Sequence, residues 1–207
     1  MKVFITEGAF DTEVVEMFEK RGFTQAETPE ECDILVLTGG ADIDPSLYGE
    51  SKMPGTYTHE RRDLIEMDAY RRAPNAFKFG ICRGGQLLNV LNGGKLWQHI
   101  EGHAYHHPMV DKRTGQSIIT SSIHHQMFRV TDEAIIIATC NEAVYKRAEF
   151  DAWSSDEDEH PDDDVEVCYY PKTRSLCIQG HPEVGPRDFT EYCFDLLKEF
   201  YSYALAA

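Results

Sequence analysis

The chain has 207 residues, with 20 Lys and Arg against 36 Asp and Glu, for a formal charge of −16. That balance lacks the basic footprint that phosphate recognition needs and argues against a nucleic-acid partner. A hydrophobic content of 42%, with 11% aromatic residues, suffices for a sizeable core and excludes global disorder.

The charge is unevenly spread. Ten acids and no Lys or Arg lie between Glu149 and Glu166, which leaves 26 acids against 20 bases elsewhere, a net of −6. The run from Asp151 to Asp164 therefore reads as a solvated loop between two strands, and its field would attract a cationic substrate or a basic partner protein. The longest near-continuous apolar run, Ala134 to Cys140, is far too short to span a bilayer, so no membrane partner is expected. No secretory signal follows Met1, and six cysteines without a paired CxxC spacing fit reduced thiols and a cytoplasmic location.

In chain order, a short apolar strand (Val3 to Ile5) precedes a helical pattern over Asp11 to Arg21, with Val14, Val15 and Phe18 on one side and Gly22 closing it. A strand at Asp33 to Leu37 ends in Thr38-Gly39-Gly40. After a loop (Pro45 to Gly55) come a charged helix near Arg61 to Arg72, a buried strand at Phe77 to Ile81, and a helix from about Gly84 to Leu91. Such alternation predicts an α/β fold: three layers, a mostly parallel central sheet and helices on both faces. The second half reads as strands at Ile135 to Ala138, Val165 to Tyr169 and Ser175 to Gln179. A closing helix, Phe189 to Tyr203, carries Phe189, Cys193, Leu196, Leu197 and Phe200 in one stripe. No repeat or linker divides the chain, so residues 1–207 are expected to form one domain.

Cys82 stands apart from the other cysteines, which read as small buried hydrophobes. In Phe77-Lys78-Phe79-Gly80-Ile81-Cys82-Arg83-Gly84-Gly85-Gln86 a strand leads in, glycines flank the turn and a helix leads out, the layout of a nucleophile elbow. The helix N-terminus behind it favours a thiolate. His181, at a strand end stopped by Pro182, is the candidate base, and Glu183 is placed to accept its second N–H and fix its tautomer. The Gly39-Gly40 turn offers free amides at the same sheet edge, so Gly40 and Arg83 N–H groups would form an oxyanion hole.

Four blocks together resemble the class I glutamine amidotransferase superfamily, and within it the γ-glutamyl-γ-aminobutyrate hydrolase family: Thr38 to Glu50 with its glycine turn; Arg62-Asp63 leading into Gly80 to Val90 and Gly93-Gly94; Ser122-Ile123-His124-His125-Gln126; and Gln179-Gly180-His181-Pro182-Glu183. The resemblance implies that Cys82 attacks a γ-glutamyl amide carbonyl, that His181 moves the proton while Glu183 orients it, and that glutamate leaves a thioester with water. It further implies that Gly39, Gln86 and the Ser122, His124, His125, Gln126 loop hold the glutamyl group. No cofactor is implied.

Three features depart from the pattern. Gly180 stands where a bulky aromatic is usual, so one pocket wall would be open or filled from elsewhere; Gly85 replaces a usually larger residue; and the acidic segment has no counterpart. His99, His103, His106 and His107 are dense but fit no specific zinc spacing, and no metal is expected. Three functions fit: a free-standing γ-glutamyl amide hydrolase, a glutaminase subunit that serves a separate synthetase, and a catalytically silent binding module on the same fold.

Overall fold

The computed structural model describes residues 1–100, 102–140 and 164–206. Its elements are, in order, β1 (Lys2–Ile5), α1 (Asp11–Glu19), β2 (Thr24–Gln25), β3 (Ile34–Leu37), α2 (Glu60–Arg72), β4 (Phe77–Ile81), α3 (Arg83–Leu91), β5 (Lys95–Trp97), β6 (His107–Asp111), β7 (Ser117–Thr120), β8 (Met127–Arg129), β9 (Ile135–Cys140), β10 (Asp164–Tyr170), β11 (Ser175–Ile178) and α4 (Arg187–Ala206). Nine strands form one sheet in the order β2-β1-β3-β4-β11-β10-β9-β6-β7, and β5 pairs with β8 in a separate ribbon.

The half of the sheet from β2 to β11 is parallel, and the half from β11 to β7 is antiparallel. β3 explains the three layers. All four of its residues are buried, and their alternation divides the core. Ile34 and Val36 join Val14 and Phe18 of α1 and Phe194 of α4 on one face; Leu35 and Leu37 join Ala69 of α2 and Leu87 and Leu88 of α3 on the other. The expected α/β class and its principal helices are therefore present.

Five strands escaped the sequence pattern: β2, β5, β6, β7 and β8. Each has five residues or fewer, and β6 opens with a His-Pro pair that carries no apolar signal. α1 ends at Glu19, two residues before the expected limit, and Gly22 (φ +82°) receives the chain beyond it. The acidic segment requires a correction at its carboxyl end: Asp164 and Glu166 belong to β10, and they are 2% and 0% exposed. They face histidines rather than solvent. The remainder of that segment, up to residue 163, lies outside the described residues.

Candidate active site

Three neighbouring parallel strands end at one level, because Leu37 of β3 pairs with Gly80 of β4, and Ile81 of β4 with Ile178 of β11. The residues that follow them are Thr38-Gly39-Gly40, Cys82 and Gln179-Gly180-His181. Parallel pairing thus gathers three sequence-distant segments at the carboxyl edge of the sheet, where open α/β sheets present their sites.

Cys82 sits between β4 and α3 with φ 49° and ψ −111°, a conformation that non-glycine residues rarely adopt. Its N–H donates to the Ile178 carbonyl at 2.7 Å, and its own carbonyl accepts from Gln86 N–H at 2.9 Å. Gly85 matches the need for close packing, since a Cβ there would lie 2.9 Å from the Ile178 carbonyl oxygen. A larger residue at 85 would push α3 off the sheet.

His181 is held at its ring by Glu183 and Phe10 and at its backbone by Ser121. Its Nδ1 lies 2.6 Å from Glu183 Oε1, and the edge of Phe10 meets the ring at a centroid distance of 5.4 Å. Ser121 Oγ accepts the His181 N–H at 2.7 Å and donates to the His181 carbonyl at 2.8 Å. Burial by itself would discharge the ring, but hydrogen bonds to Cys82 and Glu183 outweigh it, and the His181 pKa is pushed up to about 10. Phe10 is a second non-glycine residue with positive φ, at 58°. Strained backbone therefore gathers around one imidazole.

Gly40 has φ +149°, where a side chain is disfavoured. Among the described residues, neither the Gly40 nor the Arg83 N–H meets a backbone acceptor. The Arg83 side chain turns the other way. It is 1% exposed and ion-paired to Asp63 and Glu66 of α2; Glu66 also accepts from Thr6 Oγ1 at 3.0 Å and pairs with Arg62 at 3.0 Å. Arg62 in turn donates to the Thr38 carbonyl at 3.0 Å, which ties α2 to the glycine turn.

A cavity of about 240 Å³ opens beside Cys82, and Gly40, Gln86, His124, His125 and Gln126 help to line it. Gln86 Nε2 donates to the Gln126 carbonyl at 3.2 Å, and His125 Nε2 meets Asp42 Oδ1 at 3.0 Å. Two of the expected substrate contacts stand elsewhere. Gly39 packs under the His181 ring and its carbonyl accepts from Ala9 N–H at 3.0 Å, while Ser122 Oγ donates to the His103 carbonyl.

Gly180 is closed rather than open. A Cβ there would lie 2.6 Å from the Ser121 carbonyl and 2.8 Å from the Phe189 ring, so α4 fills the space from elsewhere. Sequence reasoning gave no role to Ser121, Asp42 or Phe189. Their contacts with His181, His125 and Gly180 span 60, 83 and 9 positions, and only for Phe189 does a stripe in α4 signal burial.

Parallel strands, crossover helices on both faces and an elbow at the sheet edge make this a class I glutamine amidotransferase-like fold. The chain belongs to the peptidase C26 family, whose profile matches residues 14–183. It is 33% identical over 176 residues to the glutamine amidotransferase-like protein YvdE of Lactococcus lactis, covering 73% of this chain and 66% of that protein. It is 34% identical over 137 residues to the carbamoyl phosphate synthase small chain of Ralstonia nicotianae, covering 65% of this chain and 30% of the relative. Against YvdE the chain thus spans just under two thirds of the relative's length. A glutamine amidotransferase structure from Thermotoga maritima superposes with a TM-score of 0.55 at 16% identity, covering 98% of this chain and 85% of that one. No described helix is long and apolar enough to cross a membrane.

Proposed function

We propose that the chain hydrolyses a γ-glutamyl amide through a thioester on Cys82. The observation that carries this reading is the placement of Cys82, His181 and Gly40 after three adjacent parallel strands, with Glu183 2.6 Å behind the imidazole. His181, protonated by the Cys82 thiol, leaves a thiolate at the N-terminus of α3. The sulfur adds to the amide carbonyl, and the oxyanion takes the Gly40 and Arg83 N–H groups. When the C–N bond breaks, the imidazolium delivers its proton to the leaving amine.

Thioester formation consumes the thiolate. The charge that held His181 protonated is then gone, so the neutral ring can take a proton from water as it attacks the thioester. Glutamate leaves and the thiol is regenerated. In the cavity, Gln86, His125 and Gln126 provide polar contacts for the glutamyl group, and His124 forms part of the wall. A glutamine-mimicking electrophile tests the assignment: selective, rapid labelling of Cys82 is expected, and labelling no faster than at the other five cysteines would refute it and favour a silent binding module.

A second reading, a glutaminase subunit that passes ammonia to a synthetase, draws on the similarity to a carbamoyl phosphate synthase small chain and on the cavity rim. Tyr57 and Ile123 line that rim and are 76% and 60% exposed, an apolar pair that a partner could cover. Glutamine turnover that appears only when a partner is added would select this reading.

A further inference from the structure

Away from Cys82, three histidines and a glutamate converge in the antiparallel half of the sheet. Glu166 Oε1 of β10 lies 3.1 Å from His107 Nε2, 3.2 Å from His103 Nδ1 and 4.0 Å from His124 Nε2. The cluster is enclosed: His103, His107 and His124 are 4%, 8% and 6% exposed, and Glu166 is 0%. His103 Nδ1, His124 Nε2 and Glu166 Oε2 are buried without a hydrogen-bond partner. Leaving such atoms unmatched is costly unless something else is coordinated there.

The outer nitrogens explain how the inner ones are aimed. His103 Nε2 meets Asp164 Oδ2 at 2.9 Å, His107 Nδ1 meets the Tyr105 carbonyl at 3.1 Å, and His124 Nδ1 meets the Gln126 carbonyl at 2.9 Å. A carbonyl or carboxylate accepts, so the outer nitrogens of His103 and His124 carry the proton and their inner nitrogens turn lone pairs toward Glu166, while His107 Nε2 stands at hydrogen-bond distance, 3.1 Å, from Glu166 Oε1. This is the outer-shell arrangement of metal-bound imidazoles. The spacing fits for His103, His107 and Glu166, whose ligand atoms form one compact group, while His124 Nε2, 4.0 Å from Glu166 Oε1, has to move inward by about 0.7 Å to join it. Bonds of 2.0–2.1 Å around a tetrahedral zinc place neighbouring donors about 3.3 Å apart, close to the 3.1 and 3.2 Å separations found here.

We propose that His103 Nδ1, His107 Nε2, His124 Nε2 and the Glu166 carboxylate form a closed four-ligand site for a divalent transition metal of the zinc class, behind the loop that lines the Cys82 cavity. Its role is structural. All four positions come from protein, which leaves no open site for substrate. The ligands join the turn before β6, β6 itself, the loop after β7 and β10. That loop carries Ser121, which grips His181, and His125 and Gln126, which line the cavity. The rival occupant is a proton on His103, which would bridge Asp164 and Glu166. It leaves His124 Nε2 unmatched.

The test strips the purified chain with a chelator and titrates it with Co2+ and then Zn2+. About one Co2+ per chain is expected, with the intense visible absorption of four-coordinate cobalt, no thiolate charge-transfer band, and displacement by one Zn2+. Cys82→Ser keeps the signal; Glu166→Gln and His107→Ala lose it; Asp164→Asn weakens Zn2+ binding about 10- to 100-fold by releasing His103. Should the ligand variants not fold, the wild-type chain still decides: its Tm must rise with free Zn2+ and fall back with chelator. Failure of the wild-type chain to take up metal, a pale six-coordinate spectrum, or uptake undiminished in both ligand variants overturns the site.

Discussion

The Cys82 N–H donates to the Ile178 carbonyl at 2.7 Å, so the elbow is fastened to the last residue of the strand that leads to His181. One backbone bond thus ties the candidate nucleophile to the candidate base, and the strained φ of 49° at Cys82 is held in place by it. An unfavourable conformation of this kind costs about 1–3 kcal/mol. Glycine normally destabilises a structured position relative to alanine. At 82 the order should reverse, with Cys82→Gly more stable than Cys82→Ala by about 1 kcal/mol in urea unfolding. The ordinary order would show that the elbow is unstrained.

Glu183 holds the His181 ring by its Nδ1 at 2.6 Å. An amide at 183 can present its N–H to that nitrogen and invert the tautomer. Glu183→Gln is expected to lower kcat about 10²-fold or more with a small change in KM. A KM effect with kcat preserved would assign Glu183 to substrate binding instead.

The charge state of His181 makes a signed pH prediction. Its folded-state pKa of about 10 lies above the ordinary 6.5, so the folded chain holds a proton that the unfolded chain releases in between. The stabilisation is full below pH 6.5 and is lost as pH rises through about 10. The difference in unfolding free energy between wild type and His181→Gln should therefore shrink across that window. A difference independent of pH there would show that the ring is neutral in the fold.

Gly180 packs against Ser121 and Phe189 with no room for a methyl group. Gly180→Ala should cost about 1–3 kcal/mol and displace the Ser121 grip on His181, lowering kcat as well. Unchanged stability in urea would mean that the wall yields freely.

Breaking the buried network behind the elbow should be more damaging. Glu66→Gln leaves Arg83 and Arg62 short of a counter-charge and is expected to cost about 3–5 kcal/mol, read as a lower midpoint in urea. A loss below about 1 kcal/mol would show the network to be dispensable.

Apart from the two-residue β2, the parallel half of the fold was legible because its strands are short apolar runs between amphipathic helices, and β3 and β4 end in glycine-bearing turns. Cys82, Gly40 and His181 each end such a run, so local sequence marked them. In the antiparallel half β9 and β10 were legible as apolar runs, but β6 and β7, and the β5–β8 ribbon beside them, were not. Strands β6 to β8 are brief and half polar, and their stability comes from partners far along the chain, as when Asp111 pairs with Ala138 and Arg113 binds Asp111 and Glu199. The histidine cluster shows the same limit. Spacing rules compare neighbours in sequence, whereas His103 and His107 meet carboxylates 59 to 61 positions away, one of which, Asp164, read as the end of a solvated acidic run.

The most direct measurement is turnover of glutamine and a panel of γ-glutamyl amines by the purified chain alone, with trapped intermediates analysed by mass spectrometry and Cys82→Ser as the blank. Hydrolysis of at least one γ-glutamyl amide, with a glutamyl adduct on Cys82 and none in the variant, is the predicted result. Hydrolysis retained by Cys82→Ser, or an adduct on any other residue, would contradict it.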